Sequence, residues 1–298
     1  MTKKNTLIVV AGPTAVGKTS FCIALAKWLQ TEVISADSRQ FYKETVIGTA
    51  APTAEEMDGV EHHFVGHLSV RDYYNVSMYE QDAIAVCHKL FETKPYAILT
   101  GGSGLYLDAV CDGIDDMPDA DISLRKHLKQ QLEQEGLESL LNQLFALDED
   151  YYHVVDKKNP KRILRALEVC MQTGKTYTSL RKQPQKQRNF NVKKLCLTLP
   201  RQQLCERINQ RTDAMMKNGF LQEAEMLLPY KHLNALNTVG YKELFDYLEG
   251  KTSLDFAVEK IKTNTRRYAK RQMTWFKGKG DYRFFEPHQL KKIVNELI

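Results

Sequence analysis

A chain of 298 residues, 43% hydrophobic and 27% charged, has the balance of an ordinary soluble globular protein, long enough to bury a large core as one domain with an insertion or as two domains. Its six cysteines are scattered without a C-x-x-C pair, which argues against a zinc site and for reduced thiols in a cytoplasmic protein, and its N-terminal apolar run is too short for a signal peptide or a membrane span. The formal charge is only +5, yet nine Lys/Arg face a single Asp between Lys260 and Arg283, so that stretch carries +8 and the remainder −3. Such a local excess points to an anionic partner, RNA or a phosphorylated substrate.

Leu7 to Val10 is an uninterrupted apolar run, the pattern of a parallel strand buried on both faces. It leads into Gly12-Pro13-Thr14-Ala15-Val16-Gly17-Lys18-Thr19, which fits G-x-x-x-x-G-K-[ST], and then into Phe21, Ile23, Ala24, Leu25 and Trp28 at helical spacing. Strand, glycine-rich loop and helix make a phosphate cradle. Backbone N–H groups converge on phosphate oxygens, the helix N-terminus adds partial positive charge, Lys18 reaches a terminal phosphate and Thr19 can bind Mg2+. A ligand carrying a di- or triphosphate is expected here.

Glu32 to Ala36 reads as a second strand that ends at Asp37-Ser38-Arg39-Gln40. Ligands of open parallel sheets bind beyond the carboxyl ends of the strands, which puts Asp37 on the same rim as the phosphate loop. There it can act as a base, hold a substrate hydroxyl or amine, or cap the following turn. Residues 49–58 read as a polar connection. His62, His63 and His67 raise a metal site, but no Cys or carboxylate completes a recognised ligand spacing, and a short strand with polar edge residues is the simpler reading.

Asn75 to Thr93 has one broad apolar stripe and predicts a helix stopped by Pro95. Tyr96 to Thr100 predicts a third strand, ending Thr-Gly-Gly where phosphate-loop ATPases place an acidic residue for Mg2+. Gly101 and Gly102 suggest close backbone approach to a ligand, with the Ser103 hydroxyl on the rim. Leu124, Leu128 and Leu132, then Leu137, Leu140, Leu141 and Leu144 after Gly136, predict two short helices. A helical insertion is therefore expected over about 117–157, inside a core made of 1–116 and 158–298.

Asn159-Pro160 is a helix start, with Arg162 and Arg165 on one face of the helix that follows. Gly174-Lys175-Thr176 repeats G-K-T without the first glycine or a preceding strand and is rejected as a phosphate loop. Arg181 to Lys194 holds six basic residues, no acid and a proline, and reads as a mobile loop able to touch polyanion. Leu195 to Leu199 predicts a fourth strand. Arg201 to Asn218 predicts a helix placing Arg207 and Arg211 at i, i+4, a further helix runs to Gly250, and the last, Ser253 to Phe276, carries Gln272 within its apolar side.

GPTAVGKT, ISADSRQFY with IGTA, LTGGSGLY, NPKRILRALEV, LNTVGYKEL and TRRYAKRQMTWF, in this order and over nearly the whole chain, resemble the blocks of the bacterial tRNA dimethylallyltransferase (tRNA isopentenyltransferase) family. The resemblance implies a phosphate-loop α/β fold with a helical insertion that grips the anticodon stem-loop. It implies transfer of a dimethylallyl group from dimethylallyl diphosphate to N6 of the adenosine 3′ of the anticodon in tRNA, with Mg2+ as cofactor, by a cytoplasmic monomer. Residues Gly12 to Thr19 and Arg211 would bind the diphosphate, Thr19 the Mg2+, and Asp37 would take the proton of the exocyclic amine. By the same resemblance Asp37, Ser38, Arg39, Gln40, Ser103, Arg125, Lys161, Arg162, Ile163, Leu164, Arg165, Asn237, Thr238, Val239, Gly240, Tyr241 and Lys242 would contact tRNA. Ser103 stands where many members have Thr, and the six scattered cysteines do not give the pattern expected of the C-terminal zinc finger of eukaryotic relatives. An enzyme prenylating free adenine nucleotides, a small-molecule kinase and a non-catalytic RNA-binding module remain as alternatives.

Overall fold

In a computed structural model, which describes residues 5–182 and 186–297, the central strand β1 (Thr6–Ala11) is buried along its whole length. Successive side chains of a strand point to opposite faces, so Leu7, Val9 and Ala11 enter one core cluster and Ile8 and Val10 the other. This explains why the run shows no polar alternation. With β2 (Val33–Ser35), β3 (His62–His63), β4 (Tyr96–Gly101), β5 (Asn191–Leu197) and β6 (Arg283–Phe285), it forms one sheet of order β3-β2-β4-β1-β5-β6. Every pairing is parallel. The four expected strands are present, and His62-His63 forms the edge. Because β4 lies between β2 and β1, the chain leaves β1 toward one edge of the sheet and returns beyond it toward the other, the arrangement that opens a ligand crevice at the strands' carboxyl ends.

The chain divides into two compact units, Met1–Cys111 with Gln187–Ile298, and Asp112–Lys186. In the first unit α1 (Lys18–Leu29) starts at Gly17 and α2 (Val46–Thr49) and α3 (Ala54–Met57) follow β2. The helix α3 sits in the expected polar connection, where Thr53 and Glu56 form a reciprocal capping box. Four residues are too few to show an apolar period. The expected amphipathic helix is α4 (Val76–Phe91), which the Asn75 side chain caps through Ser77 N and Met78 N, and α5 (Gly104–Asp112) follows β4.

The second unit holds α6 (Ile122–Leu147), α7 (Glu149–Val154), α8 (Pro160–Thr173) and α9 (Tyr177–Leu180). Gly136, with φ 82° and ψ 177°, breaks α6 into the two expected helices. The Asn159 side chain caps α8 and Gly174, in the left-handed conformation, closes it, so the second G-K-T is a helix end. This unit is wider than the expected 117–157 segment. Ile163, Ala166 and Leu167 of α8 share a core with Leu128, Leu140 and Leu144 of α6, which attaches the NPKRIL helix to the insertion instead of the sheet.

The rest of the first unit comprises α10 (Arg201–Lys217), α11 (Phe220–Leu227), α12 (Tyr241–Leu248), α13 (Leu254–Lys279) and α14 (Leu290–Leu297). The expected 181–194 loop is corrected in part: β5 begins at Asn191, opposite Thr6 of β1, and part of the loop, 183–185, lies outside the described residues. Nor is Arg188 held ready for polyanion. Its guanidinium donates to Glu80 Oε1 (2.7 Å) and to the carbonyls of Ala109 (2.8 Å) and Val110 (2.9 Å). Among the described residues no helix is long and apolar enough to cross a membrane.

One buried carboxylate ties the elements that frame the crevice. Glu223 of α11 accepts N–H bonds from Ile47 (2.8 Å) and Gly48 (2.7 Å) in α2 and the Tyr241 hydroxyl (2.5 Å) at the start of α12. Glu223→Ala leaves all three donors unpaired and should cost about 3 kcal/mol of stability, against about 1 kcal/mol for Tyr241→Phe, which removes one partner. Urea unfolding at neutral pH measures both; equal costs would show that the two amides find other acceptors.

Candidate active site

Parallel strands present their carboxyl ends on one edge, so the loop after β1, the turn after β2 and the turn after β4 meet there. Gly12 (φ 150°) is forced by proximity, since a Cβ would lie 2.8 Å from the Leu197 carbonyl oxygen. Gly17 (φ 101°) turns the loop into α1, and Ala15 (φ 64°) adopts the left-handed region between them. Lys18 Nζ donates to the loop's own carbonyls at Gly12 (3.0 Å) and Pro13 (2.9 Å). Pro13 has no N–H and the Val16 side chain is fully buried, so these two shape the loop, Val16 having only its backbone to offer an anion.

A cavity of about 540 Å3 opens over this edge, lined by Lys18, Thr19, Asp37 and Arg211 among others. Burial pushes the Lys18 ammonium down from 10.5 to about 8, with Asp37 opposing the shift and Arg211 adding to it. Burial also lowers Arg211, opposed by Asp37 and Glu56. Arg211 donates to Thr14 Oγ1 (3.3 Å) and the Thr49 carbonyl (3.1 Å), and Arg207 reaches the Val16 carbonyl (3.4 Å). Lys18, Arg39, Arg207 and Arg211 thus line one cavity with two carboxylates, Asp37 and Glu56, an excess of positive charge that favours a multiply charged anion. Thr19 offers an exposed hydroxyl, a hard oxygen donor that suits Mg2+.

Asp37 does cap its turn, accepting the Arg39 N–H at Oδ1 (3.1 Å), while lining the cavity. Ser38 meets Ser103 through its N–H (3.4 Å) and its hydroxyl (3.3 Å). The Arg39 guanidinium donates to the carbonyls of Asn234 (2.8 Å) and Ala235 (3.1 Å), and Gln40 to those of Thr49 (3.2 Å) and Ala50 (3.0 Å). Arg39 thereby brings the 37–40 turn to the 237–242 segment, of which Thr238, Val239 and Gly240 line the same cavity and Lys242 is exposed. Tyr241 is fully buried against Glu223, so its side chain is scaffold and not an RNA contact.

In the second unit Lys161 and Arg162 are exposed and Leu164 is half-buried, whereas the Ile163 side chain is wholly buried in the core, leaving only its backbone for a tRNA contact. Arg125 (2.6 Å) and Arg165 (2.8 Å) both donate to Oε2 of the buried Glu168, keeping their outer faces partly exposed. Back on the sheet edge, the structure does supply carboxylates near a histidine: Glu32, Glu61 and His63 approach one another. Lys94 already pairs with Glu32, and His63 Nε2 sits 2.7 Å from the same carboxylate, so Glu32 has its partners within the protein.

A family model described as IPP transferase matches residues 40–279. The chain belongs to the IPP transferase family. A protein of Bacteroides thetaiotaomicron named tRNA dimethylallyltransferase 1 is 52% identical over 292 residues, 98% of this chain and 95% of that one. The crystal structure of a full-length tRNA isopentenylpyrophosphate transferase from Bacillus halodurans superposes with a TM-score of 0.72 at 34% identity, covering 99% of this chain and 96% of that one. That of a eukaryotic dimethylallyltransferase acting on tRNA gives 0.77 at 27% identity, covering 95% and 74%.

Sequence reasoning missed what the GGSG turn of this IPP transferase is for. A Cβ at Gly101 would lie 2.8 Å from the Ala36 backbone, at Gly102 2.1 Å from Gln272 Nε2, and at Gly104 2.3 Å from Trp275 Nε1. The glycines admit neighbouring protein, two of them the side chains of α13. It also missed Tyr268 in the cavity lining, whose phenol is pushed up to about 12 by burial, Asp37 adding to the shift and a hydrogen bond with Ser103 opposing it.

A Lys18 value near 8 predicts a pH signature. Below it the ammonium is charged and attracts an anion; as pH rises through it, that attraction fades. The affinity advantage of the wild type over Lys18→Ala for inorganic pyrophosphate should therefore shrink between pH 7 and pH 9.5. Calorimetric titrations at several pH values measure the gap, and a constant gap would mean that Lys18 keeps its proton throughout.

Proposed function

We propose that this IPP transferase moves a dimethylallyl group from dimethylallyl diphosphate to N6 of the adenosine 3′-adjacent to the anticodon in tRNA, releasing pyrophosphate. The observation that carries the reading is the single cavity in which Lys18 and Arg211 stand at the phosphate loop and Asp37 on the neighbouring turn. The N6 lone pair forms a bond to C1 of the allyl group as the C1–O bond breaks, its electron pair leaving on pyrophosphate, and Asp37 accepts the N6 proton. Lys18, the loop amides and Arg211 neutralise the charge that grows on the leaving oxygens. Thr19 would hold Mg2+, which when bound supplies further charge neutralisation at the diphosphate.

The acceptor is read from the surface and from the names of the relatives. Of the nine cations between Lys260 and Arg283, Lys260, Lys262, Lys279 and Arg283 pair with acids, and Arg266 bonds Asn209. Arg267, Lys270, Arg271 and Lys277 are exposed and have no ion-pair partner among the described residues. That charge suits an RNA backbone better than a free nucleotide. With labelled dimethylallyl diphosphate, label should enter tRNA and not AMP; the reverse result would move the activity to the free nucleotide. Arg267→Ala and Lys270→Ala should each lower the slope of log K against log salt for tRNA by about 0.7–0.9. An unchanged slope in both would place the RNA elsewhere.

The role of Asp37 separates cleanly from its turn. Asn keeps an oxygen for the Arg39 N–H but cannot take a proton. In single-turnover transfer with both substrates saturating, Asp37→Asn should slow the reaction roughly 10²–10⁴-fold. A loss below about tenfold, about 1.4 kcal/mol, would end its assignment as the base.

A further inference from the structure

Gln272 is a buried polar residue on the apolar side of α13, 5% exposed, and its amide joins two segments far apart in the chain. Its Oε1 accepts the backbone N–H of Thr14 in the phosphate loop (3.0 Å), and its Nε2 donates to the Gly102 carbonyl after β4 (2.9 Å). The two partners fix the orientation of the amide, since a backbone N–H only donates and a carbonyl only accepts. No other side chain of this length meets both demands. A glutamate would set an oxygen against the Gly102 carbonyl, a methionine would leave both groups unpaired, and an asparagine falls one methylene short. The fit extends to the backbone, because any Cβ at Gly102 would collide with this amide.

What the amide joins matters for the transfer. On one side Thr14 belongs to the loop at the diphosphate end of the cavity, and its hydroxyl is held in turn by Arg211. On the other, Gly102 precedes Ser103, which bonds Ser38 beside Asp37. We infer that Gln272 is a positioning residue of the transfer, holding the loop that binds the leaving group in register with the turn that carries the base, an inference that rests on the proposed dimethylallyl transfer. Two reactants held in separate segments gain rate only if the segments keep their spacing, and an error of about 1 Å between them can cost about 10²-fold. Gln272 borders the cavity, but both polar atoms of its amide are taken by backbone groups, so binding of each ligand alone should survive its loss.

The test compares wild type, Gln272→Met and Gln272→Glu. Single-turnover transfer from dimethylallyl diphosphate to tRNA should fall 10- to 100-fold in both variants. Their affinities for inorganic pyrophosphate and for tRNA, measured separately, should change less than threefold. Amide hydrogen exchange should quicken at least tenfold in the Gln272→Met peptide spanning 12–19 and stay unchanged in peptides from 122–173. A transfer rate within threefold of wild type would overturn the inference. So would pyrophosphate affinity falling as far as the rate, or exchange quickening everywhere, because either assigns Gln272 to binding or to general stability. If wild type itself fails to label tRNA, the proposed function falls; exchange over 12–19 then judges the tether alone, and unchanged exchange there overturns it too.

Discussion

The site depends on keeping an ammonium charged in a place that disfavours it. Lys18 sits at the start of α1, where the helix N-terminus already carries positive potential, and Arg211 adds a second cation beside it. Three things offset the cost: the carbonyls of Gly12 and Pro13, the charge of Asp37, and the tight loop that brings them within reach. None of them neutralises the site fully, and the remaining positive potential is what a diphosphate would meet. The backbone that makes this possible is set by β1, whose burial on both faces fixes where the loop leaves the sheet.

The helix α13 serves the site and the surface from opposite faces. Inward, Gln272 and Trp275 approach the glycines after β4, and Ile261 and Tyr268 line the cavity. Outward, Arg267, Lys270, Arg271 and Lys277 stand in solvent. A charge count over the segment overstates what is available to a partner, because Lys260, Lys262, Lys279 and Arg283 already face acids. The smaller set of uncompensated cations is the one an RNA backbone would titrate.

Features that depend on neighbours in sequence were legible: the phosphate loop, the helix start at Asn159, the break at Gly136 and the parallel strand cores. Each follows from local backbone chemistry or from the period of the apolar residues. Features that depend on distant partners were not. Gln272 in an apolar stripe was a visible anomaly, but only the fold reveals that it faces Thr14 and Gly102. Arg188 read as a loop cation because its partner Glu80 lies 108 positions away. The NPKRIL helix joined the second unit because its apolar face met the leucines of α6, a choice that periodicity cannot make.

The carboxyl end of β4 explains why the phosphate loop here need not imply phosphoryl transfer. A kinase or ATPase of this class uses an acid at that point to hold the metal on a transferring phosphoryl group. In this chain Thr100 is the penultimate residue of the strand, and its hydroxyl donates to the Val10 carbonyl of the neighbouring strand (3.0 Å). The next position cannot carry a side chain at all, because Ala36 of the neighbouring strand end lies against Gly101. The same closeness that excludes an acid there draws the β2 turn, and with it Asp37, toward the loop. One close approach thus leaves no room for a metal-binding acid and sets a carboxylate beside the loop, an arrangement that suits a reaction in which the diphosphate leaves whole.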